Sequence, residues 1–255
     1  MIADPGLWLL LHVRPVGDRR HDRHGRCSVC GEQGRQVRQS WVLTRALAAR
    51  WGAGLAERES MFCEHCGSSL RVRRHAEVLV DLYGEGATSL VELVHEDAFR
   101  ALRIAEINSI GRMHRFLARA PGLVHVEYPD EDLQALSWTD ESFDLVLTSE
   151  TLEHVPDPRQ ALRETLRVLR PGGRHVFTVP VDGSLAATRS RTGLPAEHHG
   201  RGGGPFGLVT RKADMLVHTD FGRDLGEVVT AAGFEYEGRG EALDLVVVAT
   251  RPADA

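Results

Sequence analysis

Short apolar segments alternate with amphipathic segments from about Ala76 onward, and this alternation restricts the possible folds more than any other feature of the chain. Six segments are apolar enough to be predicted as strands: 90–94, 102–107, 123–128, 143–150, 174–180 and 243–250. Three segments have apolar residues spaced three and four apart, which predicts helices: 111–120, 158–170 and 224–233. Strands that alternate with helices favour an α/β fold, in which helices cover both faces of a parallel sheet.

The first 75 residues lack this alternation and are rich in arginine and histidine. We therefore divide the chain into an N-terminal segment, 1–75, and a larger domain, 76–255. The apolar run Gly6–Val13 is too short to span a bilayer, and Asp4 precedes it where a signal peptide would carry positive charge. We expect this run to be a buried strand or helical turn, and the protein to be cytoplasmic and to have no membrane partner.

The charge of the chain bears on its partners. The net charge is −5, so the composition lacks the basic excess that nucleic-acid-binding proteins usually carry. We interpret the basic patch Arg19–Arg26 as a solvated loop and expect no nucleic-acid partner. The sequence contains no indication of the oligomeric state.

Four cysteines form two matched pairs, each with two residues between its members and a glycine directly after it. The pairs are Cys27 with Cys30 and Cys63 with Cys66. This pattern predicts a closed tetrahedral shell of four thiolates, which is typical of structural zinc. The intervening residues 31–62 form a longer connection than a compact zinc finger uses, so we expect the pairs to lie on separate loops that meet in space.

Two other interpretations of the cysteines stay open, a redox-active pair and an iron–sulfur site. Neither explains two matched pairs with matched glycines. Disulfides are disfavoured because thiols stay reduced in the cytoplasm. His65 lies inside the second pair and is interpreted as a spacer rather than a ligand.

The segment 140–180 contains four motifs in a fixed order: DESFDLV (140–146), EHV (153–155), RVLRPGG (167–173) and a strand-like run ending in TVP (178–180). This order resembles the class I methyltransferases of the methyltransferase-11-like kind, which use S-adenosylmethionine (SAM), and looser similarity extends over 80–250. The resemblance implies a Rossmann-like class I methyltransferase sheet and SAM as the cofactor. We expect a small-molecule methyl acceptor, whose identity and acceptor atom the sequence does not specify. The cysteine pairs, with 68–74 and 195–200, are similar to a subgroup with an N-terminal zinc knuckle.

Several polar residues lie at or near the ends of predicted strands, where an open parallel sheet binds its ligands. They are Glu106, Glu127, Ser149 and Glu150. The resemblance implies that all four contact the cofactor, with Glu127 at the ribose. It also implies contacts to the methionine part of SAM from the loop that contains Asn108 and Gly111, and contacts to the adenine from Asp132 and Leu133.

Two features depart from the family pattern. The family has alternating glycines after the acidic residue at position 106, because the cofactor touches the backbone there, whereas this chain has Asn108 and Ile110 at glycine positions. Only residues 128–131 separate Glu127 from Asp132, where the family places a helix and a strand. Either the third strand is missing or trimmed, or these two residues cannot both have the implied roles.

Three histidines are candidates for the base that an in-line methyl transfer needs when the acceptor is a hydroxyl or an ammonium group. His154 follows the strand predicted at 143–150, and local packing is the alternative role for it. His198 and His199 lie in the glycine-rich loop 193–207, which we expect to cover the substrate. The alternatives for this loop are a disordered segment and a second metal site.

Three functions stay open at this point. The first is an active methyltransferase that modifies a small molecule or a glycan or natural-product precursor. The second is a degenerate methyltransferase fold that acts as a non-catalytic binding or assembly partner, and the altered glycine loop is the feature that separates it from the first. The third uses the cysteine pairs to recognise protein or nucleic acid, and the net charge argues against nucleic acid.

Overall fold

The computed structural model describes residues 23–38, 58–196, 216–240 and 244–253, and the structural statements below refer to these ranges. The N-terminal part forms an antiparallel sheet of three strands, β1 (Arg23–Arg26), β2 (Gln33–Arg38) and β3 (Met61–Cys63), with β2 in the middle. Three helices follow it: α1 (Leu70–Tyr83), α2 (Leu90–Leu93) and α3 (Asp97–Arg100).

The other elements build and cover a second, larger sheet. Its strands are β4 (Ile104–Ile107), β5 (Leu123–Val126), β6 (Phe143–Ser149), β7 (Leu169–Thr178), β10 (Glu235–Arg239) and β11 (Val246–Thr250), while β8 (Arg189–Ser190) and β9 (Thr219–Asp220) form a separate pair. The helices are α4 (His114–Leu117), α5 (Pro158–Val168) and α6 (Leu225–Ala231). Short 3₁₀ turns lie at Gly111–Met113 and Leu152–His154.

The strand order of the large sheet is β10-β11-β7-β6-β4-β5. Strands β5, β4, β6 and β7 are parallel, and β11 and β10 are antiparallel to their neighbours. The chain runs from β4 to β5 and returns to β6 on the other side of β4, so the strand order reverses there. Ligands of open α/β sheets bind beyond the carboxyl ends of the strands at such a reversal. The predicted Rossmann-like α/β fold is confirmed, and the crevice of interest lies at the ends of β4, β5 and β6.

A separate cluster of buried side chains covers each face of the large sheet. Along β6, Leu145 and Leu147 belong to one cluster and Val146 belongs to the other, because side chains alternate along a strand. Helices α1 and α2 cover the first face, and α5 and α6 cover the second. Among the described helices, none is both long and apolar enough to cross a membrane.

The strand predicted at 90–94 is wrong, because these residues form helix α2 and its end. Leu90, Leu93 and Val94 are fully buried. Their spacing of three and four residues is that of one face of a helix. A short apolar run does not distinguish a buried strand from a helical turn by periodicity alone.

The helix predicted at 158–170 is two residues too long, because α5 ends at Val168 and the following residues, including 171–173, lie inside β7. The pairing register between β6 and β7 shifts after Leu169, so this part of β7 bulges out of the ladder. Gly172 has a φ of 77°, a left-handed conformation that favours glycine. Gly172 and Gly173 are therefore part of a bulge in β7 and do not end helix α5.

Three further elements bear on the predictions. The sequence pattern did not reveal helix α1 or the antiparallel edge strand β10. No strand lies between β5 and β6 in the continuously described stretch from Val126 to Phe143. The third strand of the family pattern is therefore missing. This is the first of the two alternatives given for the short connection between Glu127 and Asp132.

We predict that Gly173→Ala lowers the free energy of unfolding by about 1–3 kcal/mol, the usual cost of overpacking. An added Cβ would lie 2.8 Å from the carbonyl oxygen of Arg170 and 3.1 Å from that of Asp144. Gly183→Ala is the matched control, because a Cβ there meets nothing within 4 Å. Urea denaturation followed by circular dichroism measures both variants, and equal losses would contradict the close packing at Gly173.

Candidate functional site

The four cysteine sulfurs lie together beside helix α1. Cys27 Sγ is 3.7 Å from Cys66 Sγ, and Cys30 Sγ is 3.8 Å from Cys63 Sγ. All four sulfurs are within 4.8 Å of one another. Zinc–sulfur bonds of about 2.3 Å in a tetrahedron place the sulfurs roughly 3.7–3.8 Å apart, whereas a disulfide bond is about 2.05 Å long. The cluster has the dimensions of a site with four thiolate ligands.

The glycine after each cysteine pair has a left-handed backbone, with a φ of 76° at Gly31 and 71° at Gly67. The N–H of Gly31 donates to the carbonyl of Cys27, and the N–H of Gly67 donates to that of Cys63, each at 2.8 Å. The two turns are therefore built alike. Glycine stands at both positions because other residues rarely adopt this conformation.

The cysteine cluster is packed into the core below the large sheet. Three of the four cysteines are buried in the same cluster of side chains as helices α1 and α2. The backbone N–H of Leu90 donates to the carbonyl of Ser28 at 2.7 Å, and the N–H of Val91 donates to that of Val29 at 3.0 Å. The turn of the first cysteine pair is thus fixed directly to α2.

The electrostatics of the cluster favour a cation. Burial raises the pKa of the Cys30 thiol to about 12, so an isolated Cys30 stays protonated at neutral pH. The buried Arg73 lies close enough for its charge to interact with three of the cysteines, and burial lowers its pKa. One guanidinium cannot neutralise four thiolates, whereas a bound dication beside it would remove most of that charge.

At the end of β4, the fully buried Glu106 organises the loop that follows the strand. Its Oε1 accepts a hydrogen bond from the N–H of Ile110 at 2.9 Å, and its Oε2 lies 2.6 Å from Nδ1 of His114. Both carboxylate oxygens are thus engaged within the protein. The side chain of Ile110 is fully buried in the cluster that also includes α1. Ile110, which stands at a glycine position of the family pattern, therefore contributes to the hydrophobic core.

The other departure from the glycine pattern, Asn108, keeps the backbone conformation of a glycine. Its φ is 58°, in the left-handed region that asparagine tolerates better than most residues. Its N–H donates to the carbonyl of Val126 at 2.9 Å, and its Oδ1 accepts from the N–H of Tyr128 at 3.1 Å. Gly111 also has a positive φ, of 52°. Asn108 therefore ties the loop after β4 to the loop after β5.

Three predicted cofactor residues lie in the connection between β5 and β6. Glu127 is exposed directly after β5, with its Oε1 3.7 Å from Nε2 of His125. Asp132 accepts a hydrogen bond from the N–H of Gln134 at 2.9 Å. Leu133 is buried in the cluster on the second face of the sheet.

Charged side chains from the N-terminal half, which is the part of the chain before β4, contact the end of β6. Arg71 of α1 donates to Ser149 Oγ and, at 2.7 Å, to Glu59. The buried Arg58 forms an ion pair with Glu150. Burial would raise the pKa of Glu59, but the neighbouring arginines lower it to about 2, whereas burial raises the pKa of Glu150. One edge of the crevice is therefore a network of paired, largely buried charges.

His154 lies in the 3₁₀ turn after β6, and its side chain is only 12% exposed. Its Nδ1 is 3.0 Å from the carbonyl oxygen of Leu216, so we assign the proton of the neutral ring to Nδ1 and a lone pair to Nε2. Nε2 is 3.6 Å from Oε1 of the buried Glu153. Burial, with a contribution from His154, lowers the pKa of His218. The other two candidate bases, His198 and His199, lie outside the described residues.

Several residues that the structure brings to this edge were not predicted as site residues: Arg58, Glu59, Arg71, His114 and His125. Arg71 lies in 68–74, where the resemblance implied no role for it, and the other four stand in no motif whose spacing indicates a site. The predicted strands 102–107 and 123–128 supplied no signal for His125, because they place Glu106 opposite Glu127 and not opposite His125.

Comparison with known families finds a match in the part of the chain that builds the large sheet. Residues 84–177 match the family described as a methyltransferase domain. This part of the chain is therefore similar to methyltransferase domains. This match supports SAM as the cofactor.

Individual relatives match shorter parts of the chain. The ubiquinone/menaquinone biosynthesis C-methyltransferase UbiE of Klebsiella pneumoniae is 36% identical over 106 residues, which are 40% of this chain and 41% of that protein. A phthiotriol/phenolphthiotriol dimycocerosates methyltransferase of Mycobacterium tuberculosis is 36% identical over 92 residues, 36% of this chain and 32% of that protein. The chain thus spans less than half the length of these relatives.

A solved structure is also similar. It is the Burkholderia thailandensis 1,6-didemethyltoxoflavin-N1-methyltransferase with bound 1,6-didemethyltoxoflavin and S-adenosylhomocysteine. It is 15% identical, with a TM-score of 0.46, and the match covers 83% of this chain and 88% of that one. A TM-score at this level is too low for fold or function to be inferred from it.

We predict a pH-dependent contribution of Glu59 to stability. Its folded pKa of about 2 is below the ordinary 4.5, so the stabilisation is present above pH 4.5 and is lost as the pH falls towards 2. Glu59→Gln should therefore be less stable than the wild type at pH 6, and the difference should shrink between pH 4.5 and 2. Chemical denaturation across this pH range measures it, and a constant difference would contradict the Arg71–Glu59 pairing. The exposed Glu235→Gln is the control.

Proposed function

We propose that this protein is a SAM-dependent methyltransferase that modifies a small molecule, such as a glycan or natural-product precursor. The observation that carries the proposal is the position of the reversal in strand order. It lies within the segment that matches the methyltransferase family, and the predicted cofactor residues border it. The two methyltransferase relatives described above support this acceptor class.

In this proposal the loops after β4 and β5 bind the cofactor. The backbone of 108–111 faces the methionine part, and Glu106 holds this loop through the N–H of Ile110. Glu127 binds the ribose hydroxyls, while Asp132 and Leu133 border the adenine. Ser149 and Glu150 line the edge of the crevice beside them. SAM, when bound, supplies an activated methyl group on a sulfonium.

The contribution of the protein to methyl transfer is then to position the acceptor and to remove a proton where the acceptor needs it. His154 is the candidate base because it follows β6 and the carbonyl oxygen of Leu216 orients its ring. His198 and His199 stay candidates for the same role. The net charge of −5 supports a small acceptor rather than a nucleic acid.

We also propose that Cys27, Cys30, Cys63 and Cys66 bind a structural zinc ion and that 1–75 is a zinc-binding segment of the methyltransferase domain 76–255. The sulfur–sulfur distances support zinc, and four protein ligands leave no open position for catalysis. A thiolate site of this kind suits a reducing compartment, which supports a cytoplasmic location.

Zinc content tests the metal proposal. The purified protein should contain about one zinc ion per chain with sulfur-only coordination, as seen by X-ray absorption, and Cys63→Ser should lose the metal and melt at a lower temperature. His65→Ala is the matched control, because its exposed side chain lies in the same turn. Full zinc occupancy in Cys63→Ser would overturn the assignment.

Cofactor affinity tests the roles of the strand-end residues. Glu127→Ala should weaken binding of S-adenosylhomocysteine by about 1.5–3 kcal/mol, the scale of hydrogen bonds to a charged group. Asp130→Ala is the matched control, because Asp130 is a nearby exposed carboxylate with no proposed role. Calorimetric titration measures both. If Glu127→Ala binds as the wild type does, Glu127 has another role.

The degenerate-fold alternative has one observation in its favour, which is that Arg58, Arg71 and Glu59 already satisfy the charges at the end of β6. Methylation assays with radiolabelled SAM and candidate small molecules separate the two functions. Cofactor binding without transfer to any acceptor would favour the binding module.

A further inference from the structure

Three side chains that can bind a metal meet at the ends of β4 and β5. Glu106 and His125 are direct partners across these two parallel strands, so their side chains leave the sheet on the same face. His114 begins α4, and the turn at 111–113 brings it back over the strand end. One oxygen of Glu106 and one nitrogen of each imidazole lie within 4.8 Å of one another.

The carboxylate of this group is already fixed in the way that metal ligands usually are. Glu106 is fully buried, and the N–H of Ile110 holds one of its oxygens at 2.9 Å. The other oxygen faces His114. A second partner that holds a ligating carboxylate in place is typical of metal centres, where it reduces the freedom of the ligand.

The hydrogen bond of one imidazole to Glu106 does not explain why a second imidazole lies beside the first. The His114–Glu106 hydrogen bond alone would satisfy the buried charge, yet the ring of His125 lies 4.3 Å from that of His114, centroid to centroid. A cation bound by both rings and by Glu106 gives all three side chains a favourable partner. Glu127 lies 3.7 Å from Nε2 of His125, on the exposed side.

We propose that Glu106, His114 and His125 bind a divalent transition metal ion, at a second site independent of the cysteines. Two imidazoles and one carboxylate suit Zn²⁺, Fe²⁺, Co²⁺ or Ni²⁺ and leave open positions for water or for an oxygen or nitrogen of a ligand. Metal bonds of about 2.0–2.1 Å need ligand atoms roughly 3.3 Å apart, so the 2.6 Å contact between Glu106 and His114 must widen by less than 1 Å.

Cobalt titration of the zinc-loaded full chain tests this site. Co²⁺ should bind with the visible absorption of nitrogen and oxygen ligands, and it should lack the sulfur-to-cobalt charge transfer that the cysteine site would give. His125→Ala should weaken this binding at least tenfold, because it removes one of three ligands while leaving the Glu106–His114 hydrogen bond intact. His95→Ala, which removes an exposed histidine elsewhere, should bind Co²⁺ as the wild type does.

Glu106→Gln provides a second variant, because an amide can still accept the hydrogen bond from Ile110 but carries no charge. It too should lose cobalt affinity, with folding checked by circular dichroism. The proposal is overturned if the wild type binds no cobalt beyond the cysteine site, or if His125→Ala binds it equally well. In either case the Glu106–His114 hydrogen bond would have only a structural role. The proposal does not depend on methyl transfer.

Discussion

The N-terminal half depends on four sulfurs that two like turns hold within 4.8 Å of one another. Within its described residues, this half forms a sheet of three short strands, and a sheet of this size needs packing against other elements for stability. Its cysteines instead belong to the cluster of side chains under the large sheet, and one turn is bonded to α2. A metal ion that ties the two turns together would therefore stabilise the packing of α1 and α2 as well.

The position of α1 matters because it brings Arg71 to the end of β6. There Arg71 and Arg58 meet Glu59 and Glu150 in a largely buried network. Burying charges is costly unless each is paired, and removal of one partner usually costs several kcal/mol. The network therefore places the N-terminal half beside the end of β6, where it forms one wall of the crevice. Loss of one of these charges would disturb the end of β6 directly.

The sequence predicted most of the large sheet because buried parallel strands are continuous apolar runs, and 143–150 and 174–180 are clear cases. It failed at 90–94, where four apolar residues out of five fit a strand or a helical turn equally well, and at the end of the helix predicted at 158–170, where a strand bulge has the same residues as a helix stop. The cysteine pairs could be predicted because their ligand spacing is local. The grouping of Glu106 with His114 and His125 could not be predicted, because the strand register and a turn bring these three residues together.

Calorimetric titration of zinc-loaded and of chelator-treated protein with S-adenosylhomocysteine tests whether a metal-organised N-terminal half forms a wall of a SAM-binding crevice. We expect micromolar binding by the zinc-loaded protein and markedly weaker binding once the metal is removed. No heat from the zinc-loaded protein, or the same affinity with and without metal, would contradict it.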